Sequence, residues 1–156
     1  MKKNTAGLLK IISYATVVLL AAVLICQFVP YWSFEGQTVS IGDYIWFTEH
    51  HKDLTKHFQG MLGDKEFYAG NIAGYSIIIM ATCGLGIFFG LKSAGKVKTM
   101  LFPAACGVAG LILHFSFPVF GIAGMGLILV ILYALLVSAA VAAVVLSVKE
   151  RIAAKE

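Results

Sequence analysis

The stretch that decides the fold is residues 99–147, TMLFPAACGVAGLILHFSFPVFGIAGMGLILVILYALLVSAAVAAVVLS, which contains no Asp, Glu, Lys or Arg. Soluble domains carry charge at roughly a quarter of their positions. A run of 49 uncharged, mostly aliphatic residues therefore has lipid, not water, as its matching solvent. About 20 helical residues at 1.5 Å each cross a hydrocarbon core of about 30 Å, so the run is too long for one helix. Phe117-Pro118-Val119-Phe120-Gly121 supplies the break, because proline removes a backbone donor and glycine follows it. The stretch reads as a tight hairpin of two spans, about 99–117 and 121–148.

The rest of the chain repeats this chemistry. Of 156 residues, 60% are hydrophobic and 13% charged. Two further apolar runs lie at about 7–29, interrupted only by Lys10 and ended by Pro30, and at about 71–91. The first is longer than the 7–15 apolar residues usual in a secretory signal, and no small-x-small site precedes Pro30, so it reads as a retained span. The expectation is one integral membrane domain over residues 1–156, all-α, a four-helix transmembrane bundle. The longest stretch outside the spans, residues 30–70, is too short for a separate soluble catalytic domain.

Charge sets the orientation. Lys2, Lys3, Lys10, Lys92, Lys96, Lys98, Lys149, Arg151 and Lys155 fall on one side of a four-span layout, and Lys52, Lys56 and Lys65 on the other. The positive-inside rule puts both termini in the cytoplasm of a cell-membrane protein, and residues 30–70 outside. The net charge of +4 is thus topological and does not point to nucleic acid.

The outer segment is expected to form a small extracellular cap. A Glu35-Gly36 turn signal between aromatic and β-branched stretches predicts a short hairpin. Thr48 as N-cap, Glu49 in the first turn and Gly63 as a stop predict an amphipathic helix. Its apolar arc gathers His51, Leu54, Phe58, Met61 and Leu62, with Lys52, Lys56 and Gln59 opposite. Trp32, Tyr44, Trp46 and Phe58 are the candidate interaction surface, either as an aromatic belt at headgroup depth or as a partner platform. His50, Asp53 and His57 are candidate metal ligands. His50 and His57 lie two turns apart, about 10 Å along the axis, so only two of the three reach one ion together.

Within the spans there is no Asp, Glu or Arg, and the only Lys and His are Lys10 and His114, the latter expected at the interface. Cys26, Cys83 and Cys106 occur singly in three different spans, without a C-x-x-C, and the mid-span Cys83 and Cys106 read as small apolar packing residues. Glycine is abundant instead. Gly86-x-x-x-Gly90 and Gly107-x-x-Gly110 place small residues at helix-contact spacing, and these four are the candidate packing positions.

Four spans, cytoplasmic ends and a long first outer loop carrying Trp32 and Ile45-Trp46 resemble the claudin and peripheral-myelin-protein group in topology. That group's two outer-loop cysteines are absent here, and the second outer loop is only a turn, so the resemblance implies a layout and no barrier or pore function. The chain also looks like a small bacterial four-span membrane protein. The expected function is non-enzymatic: association, as an accessory subunit or self-assembling scaffold. A small transporter or channel is the second reading, and a haem- or metal-dependent redox protein using the outer histidines the third. The expected partners are the lipid bilayer and either further copies or another membrane protein, with no cofactor and no nucleic acid.

Overall fold

The computed structural model describes residues 2–30, 32–34, 37–40, 66–116 and 124–153. Four helices make up most of it: α1 (Lys2–Cys26), α2 (Glu66–Lys92), α3 (Leu101–Ser116) and α4 (Met125–Ala153). All four lie in segments long and apolar enough to cross a membrane, the third counted with the 3-10 turn (Val97–Met100) that leads into α3. Between α1 and α2, strands β1 (Trp32–Phe34) and β2 (Gln37–Val39) pair antiparallel, with Trp32 opposite Val39 and Phe34 opposite Gln37.

Three helices outrun the spans read from hydropathy. α1 begins at Lys2 instead of 7 and α4 continues to Ala153 instead of 148, while α2 begins at Glu66 instead of 71. Hydropathy marks only the part that needs hydrocarbon, whereas backbone hydrogen bonds continue into the polar flanks. α1 in turn stops at Cys26, short of 29. There the amides of Phe28 and Val29 donate to Ile25 and Cys26, three residues back, at 3.0 and 3.3 Å. This tightening precedes Pro30, whose ring disfavours helical backbone in the residue before it. α3 starts with Pro103 in its first turn, where the missing amide proton costs nothing. The break at 117–121 lies outside the described residues. After it, Gly124 adopts φ +58° and its carbonyl accepts the Ile128 amide at 3.2 Å, so α4 begins at Met125 and not at 121.

Each helix packs on its neighbours in sequence, and α1 closes the ring against α4. The core runs through the centre. Leu20 and Val23 of α1, Ile79 and Cys83 of α2, Cys106 and Leu113 of α3, and Leu129, Tyr133 and Leu136 of α4 are each fully buried. A second cluster of Leu9, Met100, Ala140 and Ala143 fills the end that holds the α2–α3 turn. In that turn Gly95 sits at φ +87° and its amide donates to Ser13 Oγ at 2.8 Å, tying the loop to α1. The outer surface is apolar: Ile11, Val18, Ile25, Leu101 and Phe115 are all more than 60% exposed. Lipid is the solvent that such a surface suits.

Candidate functional site

With apolar side chains facing outward, the unusual feature is what faces inward. On α1 the buried stripe runs Leu9, Ser13, Thr16, Leu20, Val23, continuing to Gln27 just past the helix end. Its steps of three and four residues keep one face of the helix toward the bundle. Ser76 of α2, His114 of α3 and Tyr133 of α4 are buried as well. Polar groups turn inward here because hydrocarbon offers them no hydrogen-bonding partner.

These side chains form one layer. Gln27 Nε2 donates to Tyr133 Oη at 3.1 Å and more weakly to the Val23 carbonyl at 3.4 Å. The His114 ring lies 5.6 Å from the Tyr133 ring, tilted by 56°. His114 Nδ1 is 3.0 Å from the Gly110 carbonyl; a carbonyl only accepts, so Nδ1 is assigned the proton. Ser76 lies at a similar depth. It is seven residues from Cys83 on α2, His114 is eight from Cys106 on α3, and the two cysteines touch. Gln27 Oε1 and Ser76 Oγ are buried with no hydrogen-bond partner among the described residues. What the layer does chemically is tie the end of α1 to α4 through the directional Gln27–Tyr133 bond, which apolar contact in lipid does not provide, while the His114 ring of α3 packs on the same tyrosine.

Three sequence expectations change at this point. His114, expected at the interface near the outer end of its span, is 2% exposed and enclosed by the bundle between Gly110 and Tyr133. Cys83 and Cys106, read as isolated residues, bring their Sγ atoms to 3.5 Å across α2 and α3, both fully buried. A C-x-x-C search sees only pairs within one segment, whereas antiparallel helices bring together residues far apart in sequence. Gln27 and Tyr133, absent from the sequence-derived site, are central to it. For Gln27 a signal was available, since it shares one helical stripe with Ser13, Thr16, Leu20 and Val23; Tyr133 joins it only through packing.

The candidate packing glycines all face neighbouring helices. A Cβ on Gly86 meets Leu20 Cδ1 at 2.6 Å, and one on Gly90 meets Val17 Cγ2 at 2.6 Å. A Cβ on Gly107 meets the Tyr133 carbonyl oxygen and Val137 Cγ2 at 2.7 Å each, and one on Gly110 runs into the Tyr133 ring. These glycines are occupied within the chain.

The outer-segment candidates are placed differently. Trp32 contributes its backbone to β1. Tyr44, Trp46, His50, Asp53, His57 and Phe58 lie outside the described residues, as does the expected amphipathic helix. Among the described residues no group of three or more His, Cys, Asp or Glu side chains is arranged to hold a metal ion. No family model matches the chain, and neither a curated protein nor a solved structure does.

Proposed function

We propose that the chain is a non-enzymatic cell-membrane protein that acts by association, as an accessory subunit or self-assembling scaffold. Both termini face the cytoplasm and residues 30–70 form an external cap. The observation that carries this reading is the filled axis. Fully buried side chains from all four helices, Leu20, Val23, Ile79, Leu113, Leu129 and Leu136, occupy the centre of the bundle. The polar layer is bonded into this packing and lines no described channel. A solute crossing one copy would have to displace that core, whereas the apolar outer surface is already presented to other membrane components.

Purification in mild detergent, with mass measurement of the intact particle, tests the reading. A reproducible oligomer or a stoichiometric partner supports it. A monomer that carries solute flux in liposomes replaces it with the transporter reading. Orientation is tested separately with an impermeant maleimide on intact cells. A cysteine at Gln37 or Gly63 reacts and one at Ser93 or Ala154 does not, if the lysine distribution sets topology as expected.

A further inference from the structure

One groove on the bundle's outside is almost wholly apolar. It lies between α3 with its leading 3-10 turn and α4, with a volume of about 620 Å³. Leu101, Ala104, Ala140, Val141 and Val145 line it, and Lys98 joins the lining from the 3-10 turn. The helices are antiparallel, with Gly107 against Val137. Counting nine residues along each from that contact brings Lys98 level with Leu146, one turn short of Lys149. Lys149 also continues the stripe Val141–Val145 at a four-residue step. An apolar trough therefore ends between two exposed lysines, at the same end of the bundle as Lys92 and Lys96.

We propose that this groove is a binding site for an anionic phospholipid, with one acyl chain along Leu101, Ala104, Val141 and Val145 and the phosphate between the ammonium groups of Lys98 and Lys149. The chemistry at each end matches: hydrocarbon on the aliphatic wall, a single negative charge where two positive charges meet the headgroup region. A second copy of the chain fits less well. Copies inserted in one orientation carry Lys98 and Lys149 at the same depth, so pairing through this face sets like charges against each other. The proposal holds whether or not the chain acts by association.

Native mass spectrometry of the delipidated full chain, with chain-matched phosphatidylglycerol or phosphatidylcholine added back, tests it. The expected result is one phosphatidylglycerol retained per chain in preference to phosphatidylcholine. K98Q/K149Q should weaken phosphatidylglycerol retention by roughly thirtyfold, since each lysine contributes about fivefold attraction to an anionic headgroup. Val141→Trp, which fills the trough, should weaken retention of both lipids. Ile128→Trp, at an exposed α4 position outside the groove, should change neither and keeps the test independent of folding. Equal retention of the two lipids, or undiminished phosphatidylglycerol binding by K98Q/K149Q, overturns the proposal. So does a lipid-free dimer that Val141→Trp dissociates, which would assign the face to a second copy.

Discussion

The seam between α1 and α2 and the seam between α3 and α4 are both built on glycine, yet the two glycine pairs face different neighbours. On the first seam, added Cβ atoms at Gly86 and Gly90 meet the methyl groups of Leu20 and Val17. On the second, added Cβ atoms at Gly107 and Gly110 meet the backbone carbonyl and the ring of Tyr133. A leucine methyl turns aside by a rotamer change. A carbonyl inside a helix cannot, and the Tyr133 ring is held by Gln27 and flanked by His114. Small residues in membrane helices therefore do two jobs: one makes room for side chains, the other lets backbones approach. Only the second leaves nothing that can yield.

The largest expected effect follows at Gly110. Gly110→Leu should abolish recovery of a monodisperse folded protein, because the side chain enters the volume of the Tyr133 ring. Gly107→Ala is the sharper version, adding one methyl group 2.7 Å from the Tyr133 carbonyl oxygen. It should lower stability by about 1–3 kcal/mol, read as a drop in thermal midpoint in detergent. If Gly86→Ala proves as damaging as Gly107→Ala, the distinction between the seams fails.

Next comes the polar layer, which braces the Tyr133 side chain that the α3–α4 seam packs against. Tyr133→Phe keeps the ring in place and removes the hydroxyl that Gln27 Nε2 reaches at 3.1 Å. The cost should be about 1–2 kcal/mol, since interhelical bonds in lipid are individually modest but a buried amide then loses a partner. Gln27→Leu in the Tyr133→Phe background should recover part of the loss, because removing both partners leaves no orphaned donor. A double variant as unstable as the sum of the singles would show that the two groups are not coupled.

The extent to which the sequence exposed this architecture has a physical reason. Four helices long and apolar enough to span a bilayer were legible, because lipid demands apolarity along about 20 residues and a charge-free run at 99–147 leaves little alternative. The glycine positions were legible too, but not what they face, since spacing gives the side of a helix and not the residue on the next one. The polar layer was missed because Gln27, Ser76, His114 and Tyr133 come from four separate segments, joined only by packing. The same holds for Cys83 and Cys106, whose contact depends on the register of α2 against α3.

On the first seam, Gly86→Ala should cost no more than about 1 kcal/mol. Its methyl group presses on Leu20 Cδ1, the tip of a flexible side chain, though Phe102 Cβ at 3.2 Å limits how far α2 can shift. Phe102 stacks on Phe89 at 5.3 Å, so part of the strain should appear there as altered aromatic near-ultraviolet dichroism. A midpoint change with no dichroism change would place the strain on α1 instead.

The smallest effect is expected where glycine meets nothing. Gly84 lies on the exposed face of α2, two residues from Gly86, and a Cβ built on it has no neighbour within 4 Å. Alanine adds no clash there and restricts the unfolded backbone, an effect of about 0.5–1 kcal/mol in favour of the folded state in helices. Lipid contact on both sides of the equilibrium reduces that gain, so Gly84→Ala should raise the thermal midpoint slightly or leave it unchanged. The measurement is sharp because Gly84 and Gly86 share a Gly-x-Gly motif that sequence alone treats as one unit. If Gly84→Ala instead lowers stability or breaks up an oligomer, then the outer face of α2 is itself a close-contact surface. It would then bind a partner through Gly84, and the association proposed for this protein would run through α2.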